Sequence, residues 1–224
     1  MTKVKRILIF GLFMAGCTFG FAQNITTASA YFKTVSDFYA GLKSYEAEFE
    51  ITMSVTETSG HLSFKAPDLL RLDFTNPEEQ VIVFSSNLLT IYLPGSAAVL
   101  QQQVSSDSNV GTMATAKGLE LMNRYYTVAY EIGQEPVPFE DDPEEKVMKL
   151  ILYKRSTAEA FKNIKLSISA TTNLIKKIEA TTNNGEVFVM NFFDYKLNPE
   201  ISDQRFLYDA PSSANTYNNF LFSE

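Results

Sequence analysis

Hydrophobic and polar residues follow two different periods along this chain, and the period changes close to residue 44. Over residues 28–43, ASAYFKTVSDFYAGLK, apolar side chains recur every three or four positions. This spacing predicts an amphipathic helix. From Tyr45 onward the period becomes two, with apolar side chains at Phe49, Ile51, Met53 and Val55. Such alternation predicts a strand that is half buried.

Further strand-like segments then follow one another with short gaps. Turn signals at Asn76-Pro77, Pro94-Gly95 and Asn184-Gly185 separate some of them. We count about eleven such segments, the last at residues 205–211, which is typical of an antiparallel meander. One stretch, residues 112–126, returns to helical spacing and predicts a second helix.

Several of the predicted strands carry apolar residues on both faces. In residues 186–195, Val187 and Val189 face one way. The other face carries Phe188, Met190 and Phe192. A sheet whose concave face is apolar needs a cover, and the two helices are the segments that can supply it. The predicted fold is mainly β (α+β): an incomplete antiparallel β-barrel, or strongly curled sheet, with a helical lid over an apolar cavity.

The N-terminus has the pattern of an export signal. Basic residues at positions 3, 5 and 6 precede an apolar run at residues 7–13, which is too short to span a bilayer. The small residues Gly20 and Ala22 suit a signal peptidase that cuts after Ala22. We therefore expect residues 1–22 to be a signal peptide and residues 23–224 to form a single exported domain in the periplasm.

Two alternatives to this cut stay open. Met14-Ala15-Gly16-Cys17 offers the small apolar pattern at which lipoproteins are cut and lipidated, with Met14 in place of the usual Leu or Val. Lipidation at Cys17 would make the protein a membrane-anchored lipoprotein. The other alternative, a membrane-spanning anchor, is less favoured because small and polar residues at positions 17–23 end the apolar run early.

Charge and cysteine content exclude several classes of function. The chain has 19 Lys and Arg against 26 Asp and Glu, a formal net charge of −7, and removal of the basic leader makes it more acidic. An acidic domain repels phosphate backbones, so we expect no nucleic-acid partner. Cys17 is the only cysteine. If the leader is removed, the exported domain has neither a disulfide nor thiol chemistry.

The residues that catalysis needs are scarce. His61 is the only histidine, which leaves no histidine cluster for a metal and no evident base for a nucleophile. The acidic run at residues 140–145, EDDPEE, is contiguous and broken by Pro143. Calcium loops instead space their oxygen ligands around a glycine turn, so we interpret this run as a solvated loop. We expect no enzyme activity, no metal and no cofactor.

Apolar residues are what the composition offers in abundance. The chain has 18 Phe, 11 Tyr and 7 Met. Most of them must form an ordinary core. A curled sheet with Phe and the adaptable side chain of Met on its inner face can also hold an apolar ligand, because acyl chains need only a dry cavity.

Residues 60–94, GHLSFKAPDLLRLDFTNPEEQVIVFSSNLLTIYLP, carry a resemblance to a known family. The stretch resembles the outer-membrane lipoprotein carrier proteins, the LolA-like family. The matching positions are Gly60, Phe64, Pro67, Leu72, Phe74, Pro77, Gln80, Val83, Ile91, Tyr92 and Pro94. The two predicted helices and the pattern Phe206-x-Tyr208-x-x-Pro211 also fit.

The resemblance implies a periplasmic chaperone that shuttles lipoproteins from the inner to the outer membrane. The implied partners are acylated lipoproteins, an inner-membrane ABC-type lipoprotein release complex and an outer-membrane acceptor, with the carrier itself a monomer. The family often has an Arg before the proline that latches the lid. Here Ala66 stands in that place, and Lys65 is expected to point away from the cavity.

Strand parity gives a hypothesis for the acyl-chain cavity. The residues that we assign to its inner wall are Phe49, Ile51, Met53, Leu70, Leu72, Phe74, Val83, Ile91 and Met190. If the inward-facing positions of a strand are assigned one residue off, the wall residues of that strand are replaced by their neighbours in sequence.

Two other classes of function remain. One is a lipoprotein acceptor or envelope-stress sensor with the same curled sheet, anchored through Cys17. The other is a structural or protein-binding envelope domain in which every aromatic residue belongs to the core. The tail after Pro211 lies outside the part of the chain that resembles the family. We expect it to add an edge to the sheet through Tyr217, Phe220 and Phe222.

Overall fold

A computed structural model describes residues 26–85, 87–104 and 114–220 of the chain. Both processing sites predicted at the N-terminus lie outside these residues, as does Phe222. No helix in the described part of the chain is long and apolar enough to cross a membrane.

Two α-helices form where the helical spacing predicts them. Helix α1 spans Ala28–Gly41. Thr27 caps its N-terminus, because the Thr27 hydroxyl accepts a hydrogen bond from the amide of Ala30. Helix α2 spans Ala116–Tyr125 and is capped in the same way by Thr115. A side-chain oxygen at this position satisfies an amide that would otherwise have no partner, which fixes where each helix starts.

The described residues also form thirteen β-strands. Their bounds are β1 Ser44–Met53, β2 Thr56–Lys65, β3 Leu69–Asn76, β4 Glu78–Ser85, β5 Leu88–Leu93, β6 Ala98–Gln103, β7 Tyr126–Tyr130, β8 Val137–Pro138, β9 Lys146–Lys154, β10 Phe161–Ser169, β11 Ile175–Thr182, β12 Val187–Leu197 and β13 Asn215–Asn218.

These strands make one sheet in the order β13-β6-β5-β4-β3-β2-β1-β12-β11-β10-β9-β7, with β8 paired to β9. Every pair is antiparallel except β13 with β6. The order runs from one edge to another without closing. The predicted class, an incomplete and mainly antiparallel barrel with two helices, is therefore confirmed.

The two helices pack on the concave face of the sheet. Phe32, Val35 and Tyr39 of α1 are fully buried against it, together with Leu119 and Met122 of α2. The hydroxyl of Tyr39 accepts a hydrogen bond from the amide of Ile175 at 3.0 Å, which links α1 to strand β11. The helices therefore cover the apolar face that the strand pattern left without a partner.

The convex face carries a second, smaller core that the C-terminal segment covers. Val81, Val83, Tyr92 and Val99 form this cluster, and Tyr208, Ala210 and Ala214 pack against it. The rings of Tyr92 and Tyr208 lie 5.6 Å apart. The strand expected at residues 205–211 is wrong: Asp203–Phe206 is a 3-10 turn, and the last strand is β13.

Polar groups fasten this segment to the sheet. Lys65 points to the convex side, as predicted, where its ammonium donates to the carbonyl of Ile201 at 2.7 Å and pairs with Asp203. Arg71 donates to the carbonyl of Arg205 at 3.1 Å. The tail then adds β13 as an edge strand beside β6, as expected for Tyr217. The segment that leads to β13 crosses the convex face of the sheet.

The acidic run at residues 140–145 is mostly exposed, as predicted for a solvated loop, and forms ion pairs along one side. Glu140 pairs with Lys149, and Asp141 lies 3.5 Å from the ammonium of Lys177. These contacts hold the loop against lysines of strands β9 and β11. No cluster of metal-ligating side chains occurs among the described residues.

Candidate functional site

An apolar cavity of about 240 Å³ lies between the concave face of the sheet and the start of helix α2. Strands β1 to β5 and β12 supply its wall, and Ala114 and Thr115 supply its cover. The lining residues are Tyr45, Ile51, Leu62, Leu70, Leu72, Phe74, Ile82, Leu89, Ile91, Ala114, Thr115, Met190 and Phe192. None of them is charged.

Sheet register assembles much of this wall into one continuous row. Leu62 of β2 lies opposite Leu72 of β3, and Leu72 lies opposite Ile82 of β4. Ile82 in turn lies opposite Ile91 of β5. Residues directly opposite in an antiparallel pair have their side chains on the same face, so these four apolar side chains form a strip across four strands.

A second row lies beside the first and includes a glycine. Phe192 lies opposite Phe49, Phe49 opposite Gly60, and Gly60 opposite Phe74. A Cβ on Gly60 would lie 2.2 Å from the carbonyl oxygen of Asp73 and 2.9 Å from the Phe49 ring. The absent side chain lets the rings of Phe49 and Phe74 meet edge to face, with 5.2 Å between centroids.

A single buried hydroxyl joins the wall to the cover. The Tyr45 hydroxyl donates to the carbonyl of Ala114 at 2.6 Å, immediately before the Thr115 cap of α2. Burial raises the pKa of Tyr45 well above its usual range, and the nearby Tyr39 adds to the shift. The hydroxyl therefore stays protonated at neutral pH and remains a donor.

The structure brings six of the nine predicted wall residues to the cavity: Ile51, Leu70, Leu72, Phe74, Ile91 and Met190. Phe49 is fully buried and packs behind them against Phe74. Met53 lies further along β1, where 43% of its surface is exposed. Val83 is on the convex face, so its assignment to the inner wall is wrong, and Ile82 takes that place.

Seven lining residues were not in the predicted set: Tyr45, Leu62, Ile82, Leu89, Ala114, Thr115 and Phe192. Leu62 and Phe192 continue the period-two patterns of their strands and could have been included. Ile82 lies in an apolar run, where the pattern does not say which face is inside. Ala114 and Thr115 have no local signal, because they reach the cavity only through the packing of α2.

The lining of this site is suited to apolar contact. Among the described residues, the lining has no carboxylate, histidine or amine, and its side-chain polar groups are the hydroxyls of Tyr45 and Thr115. An engineered apolar cavity of about 150 Å³ in another protein stays dry and binds benzene. This larger cavity is thus suited to hold part of an apolar ligand.

Comparison with known proteins gives a consistent picture. The profile of the family described as "Outer membrane lipoprotein carrier protein LolA" matches residues 40–209. An outer-membrane lipoprotein carrier protein of Pseudomonas aeruginosa is 22% identical over 212 residues, which cover 91% of this chain and 95% of that protein. The protein of the same name from Pseudomonas paraeruginosa matches with the same values.

Solved structures share the fold at lower identity. An uncharacterized conserved protein from Thermus thermophilus superposes with a TM-score of 0.57 and 13% identity, over 84% of this chain and 98% of that one. A crystal structure of MucB gives a TM-score of 0.54 and 12% identity, over 82% of this chain and 63% of that one. These likenesses concern the fold alone.

Proposed function

We propose, from the premise that this chain belongs to the outer membrane lipoprotein carrier family, LolA, that it carries acylated lipoproteins from the inner to the outer membrane. Members of this family are carrier proteins, and two relatives bear the name outer-membrane lipoprotein carrier protein. The shuttle itself, its periplasmic location, an inner-membrane ABC-type release complex and an outer-membrane acceptor are parts of the proposal.

The observation that carries this proposal is the uncharged cavity beneath the start of helix α2. Acyl chains exposed to water are unfavourable, and each buried CH₂ gains about 0.8 kcal/mol. A lining of Leu, Ile, Phe and Met supplies that gain without a specific polar contact. Such a site holds different lipoproteins through their common lipid and leaves their polypeptides in solvent.

The cavity is small for its proposed cargo. By comparison with the benzene-sized cavity of about 150 Å³, a volume of 240 Å³ has room for about ten carbon atoms. A membrane anchor contains at least one chain of about fourteen carbons. The remaining carbons need apolar surface beyond this volume, because the Tyr45 hydrogen bond holds the cover at Ala114 and Thr115 in place.

A second candidate is an anchored acceptor or sensor with the same cavity. The sequence Met14-Ala15-Gly16-Cys17 favours it. One solved structure shows MucB of Pseudomonas aeruginosa in complex with MucA, so this fold also occurs in a protein with a protein partner. Intact mass of the protein in soluble and membrane fractions of its native host separates the two. A soluble species starting at Gln23 favours the shuttle, and a lipidated Cys17 favours the anchored protein.

Lipoprotein release from membranes tests the carrier proposal. Inner-membrane vesicles that contain a native release complex and an acylated lipoprotein are incubated with ATP and the purified protein. We expect the lipoprotein to appear in the supernatant as a complex with the wild-type protein. The Leu72→Glu variant places a carboxylate in the cavity and should leave the lipoprotein in the membrane. Equal release by both proteins would contradict the proposal.

A further inference from the structure

The concave face of the sheet becomes steadily more exposed toward one end of the barrel. Along β1, Tyr45 and Phe49 are fully buried, Ile51 is half-buried, and Met53 is 43% exposed. Strand β12 shows the same trend, because Phe192 is buried and Phe188, which lies opposite Met53, is half-buried. The turns after β1 and before β12 mark this end, and Val55 in the first of them is 94% exposed.

The apolar lining continues without a break from the cavity to this end. Ile51 lies opposite Met190 at the cavity wall, and the next pair on the same face is Met53 with Phe188. The ring of Phe188 is supported by Phe161, at 6.2 Å between centroids with the planes at 79°. A chain in the cavity that passes Ile51 and Met190 therefore meets another apolar pair. A charged side chain at this end, that of Glu186, borders a shallow pocket together with Met53.

The volume of the cavity requires such an extension. About ten carbons fill it, whereas an acyl chain that anchors a protein has about fourteen or more. The carbons beyond the tenth need an apolar surface that adjoins the cavity. Met53 suits this place because its unbranched thioether side chain adapts to a chain that is not held in one position.

We propose that the acyl chain leaves the cavity over Met53 and Phe188, and that the lipoprotein's polypeptide emerges between the β1–β2 and β11–β12 turns. This inference rests on the proposed function and adds to it the position of the cavity mouth. The surface at Met53 and Phe188 is here called the exit path. The exit path predicts that Met53 contacts only those acyl chains that are too long for the cavity.

The chain offers a close control for Met53. Val187 lies at the same end of the sheet and is 42% exposed, nearly the same as Met53. Strand parity assigns it to the opposite face, because its neighbour Phe188 points inward, although both Val187 and Met53 border a shallow pocket at the strand ends. Glutamate at either position stays in contact with water, so neither substitution should prevent folding.

Two synthetic lipopeptides with one peptide sequence test the exit path, one with a decanoyl and one with a hexadecanoyl chain. Calorimetric titration of the purified protein should show that Met53→Glu weakens binding of the hexadecanoyl lipopeptide about tenfold, which corresponds to about 1.4 kcal/mol. It should leave the decanoyl lipopeptide unaffected. Val187→Glu should change neither, and Leu72→Glu in the cavity should weaken both.

Two results would overturn the exit path while leaving the carrier function intact. One is an equal effect of Met53→Glu and Val187→Glu on the hexadecanoyl lipopeptide. The other is an equal effect of Met53→Glu on both chain lengths. If the wild-type protein binds neither lipopeptide, the exit path and the proposed function fail together.

Discussion

Phe49 and Phe74 lie on strands β1 and β3, which are not neighbours, yet their ring centroids are only 5.2 Å apart and their planes meet at 80°. The strand between them, β2, places Gly60 opposite both residues. The glycine therefore lets two rings close over the backbone of the intervening strand. Phe74 lines the cavity, so this contact helps to set the shape of its wall.

Gly60→Ala should destabilise the fold. The added Cβ would lie 2.2 Å from the Asp73 carbonyl oxygen and 2.8 Å from the Phe74 Cα, which are backbone atoms that cannot move alone. Overpacking of this kind costs about 1–3 kcal/mol, and urea unfolding measures it. Gly41→Ala, where no atom lies within 4 Å of the added Cβ, is the control and should be nearly neutral or stabilising. Equal midpoints for the two variants would refute this explanation.

Leu72→Glu should abolish binding of acyl lipopeptides. Leu72 is at the centre of the four-strand row, and a carboxylate there must be either desolvated or protonated on loading. Thr75→Glu, on the exposed end of the same strand, should bind as the wild type does. Because a buried glutamate can also weaken the fold, Ile91→Trp provides a second route: it fills the cavity without a charge. Full binding by folded Ile91→Trp would argue against this cavity as the site.

Tyr45→Phe should loosen the cover of the cavity. The substitution removes the donor at 2.6 Å from the Ala114 carbonyl, and leaving a buried carbonyl without its partner costs about 1–3 kcal/mol. Hydrogen exchange of helix α2 amides should therefore become faster than in the wild type. Tyr130→Phe removes a hydrogen bond to Thr26 at an exposed site and should leave α2 unchanged. Unaltered exchange in Tyr45→Phe would mean that packing alone holds the cover.

Acid should weaken the attachment of the C-terminal segment through Asp73. Burial opposes ionisation of this carboxyl, but hydrogen bonds and charge from Arg71 and Arg205 outweigh it and hold the pKa of Asp73 below 3.8. Because the pKa is lower in the folded protein, the carboxylate stabilises the fold above about pH 4, and this stabilisation is lost as the pH falls through the folded value.

Unfolding measured between pH 6 and pH 2 should show this stabilisation decrease as the pH falls. Asp73→Asn should lose less stability on acidification than the wild type. Arg205→Gln, which removes the cation at 2.5 Å from the carboxylate, should fall between them. If the stabilities of all three proteins fall in parallel with pH, the protonation of Asp73 is not coupled to folding.

Sequence periodicity was sufficient for the helices and most strands, since the apolar positions of β1 and β3 alternate with polar ones. It failed at β4, where Val81, Ile82, Val83 and Phe84 are all apolar. Both faces of this strand are covered: the concave one faces the cavity, and the convex one packs beneath Tyr208. A continuous apolar run has no parity, so the choice between Ile82 and Val83 depends on tertiary structure.

The segments whose contacts lie far away in sequence could not be predicted. Ala114 reaches the cavity because Tyr45, 69 residues earlier, holds its carbonyl. The 3-10 turn at Asp203–Phe206 forms against β3 through Arg71, although its sequence resembles a short strand. In both places a partner that is distant in sequence determines the local conformation. Such a contact leaves no periodic pattern in the sequence.

Native mass spectrometry of the protein isolated from its host tests the central claim, that the cavity carries the acyl chains of lipoproteins. The wild-type protein should appear partly in complex with acylated lipoproteins, and collisional release should give masses of lipid-modified polypeptides. Leu72→Glu, purified in parallel and shown to be folded, should be free of them. A wild-type protein that is always empty, or one that binds these lipoproteins no better than Leu72→Glu does, would contradict the account.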